Sequence, residues 1–132
     1  MTTQPGASST RLLLVEPQQL LRRTVTSVAH SLELARIEEA LNVQSAERLL
    51  QRNRYDALVV ALDDEGEAVR LLERLRAGEF MTPRATPTVV MAALCDASTA
   101  LQMKSLQVRR VLLKPFKVKS VLESIAGLQQ AG

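Results

Sequence analysis

Few side chains in this sequence combine a reactive group with a neighbour that could use it. His30 falls inside a helical pattern with no nucleophile nearby, so it reads as a surface histidine rather than a general base. Cys95 is the only cysteine, which excludes an internal disulfide, and one cysteine with one histidine cannot assemble a structural zinc site. It reads as a loop or buried thiol rather than a nucleophile. The carboxylates are more suggestive. Glu16 follows one short apolar run, and Asp63, Asp64 and Glu65 follow another. Acids so placed could hold a magnesium ion, which takes oxygen ligands, or could simply favour a helix N-terminus. Lys114 closes a third apolar run, directly before Pro115. A half-buried ammonium there needs a carboxylate, and Glu16 or Asp63 is the expected partner. Lys104, Arg109, Arg110, Lys114, Lys117 and Lys119 occur with no acid between them. Such a stretch could dock an acidic protein surface or an anionic ligand such as a cyclic dinucleotide, or remain a solvated basic edge.

These groups can work together only if the chain brings the ends of its apolar runs to one place. The 132 residues suit a single domain, and 46% hydrophobic with 23% charged residues is an ordinary globular composition. Aromatic residues make up only 2%, so the core must be built from Leu, Val, Ile and Ala, and few rings remain to stack on bases; this argues against nucleic acid as a partner. A formal charge of +3 selects no partner by itself. No apolar stretch is long enough to span a bilayer, and Met1 to Thr10 is small and polar, unlike an export signal. Residues 1–10 therefore read as a flexible tail, and the lone thiol suits the reducing cytoplasm.

Arg11 to Val15 is an apolar run of the kind that forms a strand covered on both faces. Leu21, Val25, Val28 and Leu32 then recur at helical spacing, in a helix whose first turn tolerates Pro17. Ala35 to Ala40 is a weaker strand, followed by Ser45 as an N-cap before Ala46, Leu49 and Leu50. Ala57 to Leu62 is the strongest strand, closed by the acids and Gly66, and Ala68, Leu71, Leu72 and Leu75 mark the next helix. Gly78 to Thr86 predicts a long surface loop before a strand over Pro87 to Ala92. Ala97, Ala100, Leu101 and Met103 outline a fourth helix, Arg110 to Leu113 a fifth strand, and Val118, Val121, Leu122, Ile125 and Leu128 a last helix. Strict alternation with mostly short links requires right-handed crossovers: an α/β fold with an open, doubly wound parallel sheet between two helical layers. Working sites in such sheets lie beyond the carboxyl ends of the strands. That directs attention to Glu16 and Pro17, Ala61 to Asp64, Ala92 and Ala93, Val111, and Lys114 with Pro115.

Four fragments, Leu12-Leu13-Leu14-Val15-Glu16-Pro17, Tyr55-Asp56-Ala57-Leu58-Val59-Val60-Ala61, Thr86-Pro87-Thr88-Val89-Val90-Met91-Ala92-Ala93 and Val111-Leu112-Leu113-Lys114-Pro115-Phe116, resemble in order and spacing the motifs of response-regulator receiver domains. The resemblance implies a three-layer flavodoxin-like (βα)5 fold with sheet order 2-1-3-4-5, a receiver-like domain over residues 11–129, a tail at 130–132, and a cis Lys114–Pro115 bond. Working members of that family carry an acidic pair after the first strand, a phosphoacceptor aspartate ending the third, a Ser or Thr after the fourth, an aromatic in the fifth and a lysine before proline. Here the acidic pair has become Glu16 beside Pro17. The phosphoacceptor position, five residues beyond Asp56, is Ala61; the hydroxyl position is Ala92, the aromatic position is Val111, and only Lys114 matches. An aspartyl phosphate needs a carboxylate nucleophile and a carboxylate-held magnesium ion. The resemblance thus implies a degenerate switch pocket of Glu16, Pro17, Ala61, Ala92, Val111 and Lys114, with no catalytic residue, no cofactor, and no metal site beyond a residual pairing of Glu16 with Asp63. The expected function is that of a stand-alone bacterial signalling module of a two-component or phosphorelay pathway. It would not be an enzyme, and it would bind partners without being phosphorylated. Lys104, Arg109, Arg110, Lys117 and Lys119 map to the fourth helix, fifth strand and fifth helix, the face through which receivers meet protein partners and dimerise. Two alternatives stand beside this. One is a receiver phosphorylated at Asp63, two residues beyond the usual position and on the same strand face. The other is a small flavin or nucleotide binder of the same topology, although the Gly-, Ser- or Thr-rich turn that cradles phosphate is absent after the first strand.

Overall fold

The computed structural model describes residues 10–62 and 66–129; residues 1–9 and 130–132, where tails were expected, and Asp63, Asp64 and Glu65 lie outside the described residues. Strands β1 (Arg11–Val15), β2 (Arg36–Ala40), β3 (Ala57–Ala61), β4 (Thr88–Ala92) and β5 (Arg110–Leu113) alternate with helices α1 (Gln19–Ser31), α2 (Val43–Arg52), α3 (Glu67–Arg76), α4 (Ala97–Ser105) and α5 (Val118–Gln129). All strand pairs are parallel, and the sheet order is β2-β1-β3-β4-β5. Because successive side chains on a strand point to opposite faces, each apolar run feeds two cores at once. Leu12 and Leu14 of β1 and Val59 of β3 pack with Val25, Val121 and Ile125 of α1 and α5. Leu13, Val15, Leu58 and Val60 pack with Leu50, Leu71, Leu72 and Met103 of α2, α3 and α4. The three central strands are wholly or almost wholly buried, as unbroken apolar runs between two helical layers require.

The details depart from the sequence pattern where caps and loops decide. The N-cap of α2 is Asn42, whose side chain accepts the Ser45 N–H at 2.8 Å, so the helix starts two residues before Ser45. Pro17 lies outside α1, before its N-cap Gln18, and Leu32 is an exposed residue at the C-cap while Val25 and Ala29 carry the buried face. Only Met103 of α4 is buried; Ala97, Ala100 and Leu101 face outward. The connection from Gly78 to Thr86 is more than a surface loop, because Phe80, Thr82 and Thr86 are buried in it. The Thr82 hydroxyl donates to the Asn53 carbonyl and accepts the Tyr55 N–H at 3.3 Å, which binds the loop before β4 to the loop before β3. Arg76, at the end of α3, donates to the carbonyls of Leu106 (2.7 Å), Arg84 (2.7 Å) and Thr86 (2.8 Å), and so ties the loop before β4 to the last turn of α4. Its charge complements the carbonyl end of α4, while burial and nearby Arg109 lower its pKa.

Candidate functional site

Beyond the carboxyl ends of the strands, the topology brings together the residues singled out in the sequence. Glu16 follows β1 and is fully buried. Its backbone is clamped twice: its N–H donates to the Ala40 carbonyl at 3.0 Å, and its own carbonyl accepts Arg22 Nη1 at 2.8 Å. Arg22 is itself held by Glu39 Oε1 at 2.8 Å. The Glu16 carboxylate is committed on both sides. Oε2 accepts the Gln18 N–H at 2.8 Å, and the Lys114 ammonium lies 3.2 Å from Oε1, an ion pair off the line of a hydrogen bond. Lys114 retains 15% side-chain exposure and sits where β5 ends, its own N–H on the Ala92 carbonyl at 2.7 Å and its bond to Pro115 cis. The pairing expected for this lysine is therefore the one observed with Glu16. Asp63, the other expected partner, lies outside the described residues.

Three small apolar side chains stand at the neighbouring strand positions. Ala61 ends β3 with its methyl packed against the α1 and α5 side of the core, Ala92 ends β4 and is buried, and Val111 is half-buried against the α4 side. A small cleft of about 140 Å³ opens beside Ala61, lined by Val15, Pro17, Leu41 and Val43 together with the polar Asn42 and Glu67. Among the described residues no group of three or more His, Cys, Asp or Glu side chains converges as a metal site would require. Of the described residues at this end of the sheet, Glu16 has Oε2 bonded to the Gln18 N–H and Oε1 beside the Lys114 ammonium, and Pro17 and Ala61 supply no ligand for the magnesium ion that the family pattern implies. Neither can Ala61 attack a phosphoryl donor, nor Ala92 hold one by a hydroxyl.

The cationic residues occupy both ends of one face. Because α4 and α5 run against the strands, Lys104, Arg109 and Arg110 lie toward the amino end of the sheet, while Lys114, Lys117 and Lys119 lie at its carboxyl end. Between them stand exposed Leu101 (69%) and Leu113 (52%). Arg110 is turned toward α5, donating to Ser124 Oγ at 3.0 Å. His30 is exposed at the end of α1, and Cys95 is a half-buried loop thiol. Sequence reasoning missed Arg22 and Arg76, both of which act on backbone carbonyls. A helix sequence does not show which carbonyls its arginines will reach; the only hint was an arginine at the last turn of an otherwise apolar-faced helix.

No protein-family model matches the chain, and a search of curated proteins finds no significant sequence match. Comparison of structures is decisive for the fold. The non-phosphorylated HemR receiver domain from Leptospira biflexa superposes with a TM-score of 0.81 at 24% identity, covering 94% of this chain and 97% of that one. The fold is that of response-regulator receiver domains. A Francisella response-regulator receiver domain (TM-score 0.78, 17% identity, 91% and 96% covered) and an orphan response regulator of H. pylori (0.78, 15%, 93% and 98%) share it. Within this receiver fold the pocket just described occupies the carboxyl end of the sheet, at the reversal of strand order between β1 and β3.

Proposed function

We propose that the chain is a receiver-like signalling domain that works without aspartyl phosphate, as a module that binds protein partners and not as an enzyme. One observation carries this reading: the end of β3 presents the buried methyl of Ala61, and the neighbouring carboxylate of Glu16 is already paired with Lys114. The partner surface is the α4–β5–α5 face. Apolar Leu101 and Leu113 there are bracketed by Lys104, Arg109 and Arg110 at one end and by Lys117 and Lys119 at the other, an apolar centre with a charged rim of the kind protein interfaces use. The same face would serve a homodimer.

The test is incubation with acetyl phosphate, or with beryllofluoride, in the presence of magnesium, read by intact mass and by amide shifts. No added phosphate and no shifts around Ala61 and Lys114 are expected. A modification that disappears in Asp63→Ala would overturn the proposal in favour of phosphorylation at Asp63. For the face, Leu101→Asp with Leu113→Asp is expected to abolish partner capture or dimerisation; unchanged capture would remove this surface from consideration.

A further inference from the structure

The arginines are not spread evenly over the molecule. At the amino end of the sheet, opposite the pocket, every strand is approached or begun by arginine: Arg36 on β2, Arg11 on β1, Arg54 before β3, Arg84 before β4, and Arg109 with Arg110 at β5. With neighbouring strands about 4.8 Å apart, this row spans about 19 Å. Arg11 and Arg36 are direct register partners, and the Arg109 N–H is bonded to the Thr88 carbonyl at 2.8 Å. The loops that carry the row are fixed to one another. Thr82 joins the Arg54 loop to the Arg84 loop, and Arg76 joins the Arg84 loop to the turn preceding Arg109.

Arg36, Arg54, Arg84 and Arg109 are exposed, and among the described residues only Arg11 of the row has an ion pair, with Glu38. The acids in these loops are Glu33, Asp56 and Glu79. Glu79 is paired with Arg74, which leaves Glu33 and Asp56, the latter accepting the Arg11 N–H at 2.9 Å, as the loop counter-charges to the row. Like charges held on a rigid frame with too few counter-charges lower the ordering cost of binding an anion.

We propose that this row docks an extended acidic segment of a partner protein. Guanidinium forks match carboxylates with two hydrogen bonds each, and no lysine lies among the residues of the row. A span of about 19 Å corresponds to about six residues of extended chain at about 3.4 Å each. A nucleic acid fits the surface less well. Tyr55 and Phe80, the aromatics nearest the row, are buried and offer no stacking platform, and Glu33 and Asp56 interrupt the line of positive charge. A second copy that met the row with its own row would set arginines against arginines, so it fits less well too. The inference does not rest on the α4–β5–α5 face, because Arg36, Arg54 and Arg84 lie off it.

The experiment is fluorescence anisotropy of a labelled hexaglutamate peptide titrated with the full chain. Binding that weakens as salt rises is expected, with a loss of about tenfold or more in Arg54→Glu/Arg84→Glu. The neutral pair Arg54→Gln/Arg84→Gln, checked for folding by circular dichroism, should lose less but in the same direction. Lys117→Glu/Lys119→Glu, at the other end of the molecule, should leave the affinity unchanged. No binding, or equal losses from both ends, overturns the proposal. So does a DNA duplex that binds at least as tightly as the peptide, or sedimentation showing self-association that the Arg54 and Arg84 replacements abolish.

Discussion

Replacing Lys114 by methionine removes the ammonium from beside Glu16 and keeps most of the apolar stem. Glu16 is fully buried; its Oε2 would keep the Gln18 N–H, while its Oε1 would lose the cation now 3.2 Å away. Breaking a buried ion pair from one side costs about 3–5 kcal/mol, because the remaining charge is left uncompensated. Lys114 keeps 15% side-chain exposure, so water can partly replace it, and the lower figure of about 3 kcal/mol applies. For a chain of this length that corresponds to a fall of about 10 °C in Tm. Removing both charges with Glu16→Leu and Lys114→Met should recover most of the loss, since an apolar pair of similar volume avoids the desolvation of two ions. Urea unfolding of the parent, the two single variants and the double variant gives the coupling directly, expected at about 2 kcal/mol. A Lys114→Met protein within about 1 kcal/mol of the parent, the range of an exposed pair, would refute the picture of a closed, desolvated lock.

Three further outcomes follow from the same structure. Arg76→Ala should cost about 2–4 kcal/mol and speed amide exchange in residues 83–88 and 106–109, because three carbonyls lose a charged donor; Arg76→Lys should restore little, since one ammonium cannot span them. Thr82→Val leaves the Tyr55 N–H and the Asn53 carbonyl without their partner and should cost about 1–3 kcal/mol in urea unfolding; an unchanged midpoint would show that the two loops are not held through this hydroxyl. Asp96 caps α4 by accepting the Thr99 N–H at 2.8 Å, which holds its carboxyl below the usual range. A depressed carboxyl stabilises in full above its unfolded value, about 4, and ceases to do so as pH falls through the lower folded value. The start of α4 should therefore fray only below about pH 4, followed by the Thr99 amide shift, and Asp96→Asn should remove that titration; a Thr99 midpoint above about pH 5 would contradict the cap.

The sheet was legible because fully covered parallel strands must be unbroken apolar runs, as those in β1, β3 and β4 are. The pocket was legible because its positions are tied to strand ends: once β3 is placed, Ala61 is placed, and the chemistry a methyl group lacks needs no coordinates. Helix boundaries were less so. Ser45 and Asn42 are both good N-caps by type, and only the extended backbone of Asn42 with its bond to the Ser45 N–H chooses between them. The outward-facing apolar residues of α4 could not be assigned by periodicity, because a helix that covers an edge of the sheet buries only a narrow stripe, here Met103. Least legible was the use of arginine. Arg22 and Arg76 bond to carbonyls of other elements, and backbone acceptors have no signature in sequence.

On the proposed reading, the pocket has lost what makes a switch bistable. A ligand shifts a two-state equilibrium only through different affinities for the two states. In this pocket an anion at the end of β3 could claim Lys114 only by parting it from Glu16, and about 3 kcal/mol of pairing lowers the affinity for that anion by about two orders of magnitude. Ala92 offers no hydroxyl that could bond to such an anion, and Val111 is too small a side chain to exchange a buried for an exposed rotamer as an aromatic can. Among the described residues, the differential contacts that would bias one conformation over another are therefore lacking at this end of the sheet. Any bias in this domain has to enter through its surface, from partners that bind the α4–β5–α5 face or the arginine row. The rigid, pinned loops beneath that row then favour a module whose shape is fixed before the partner arrives.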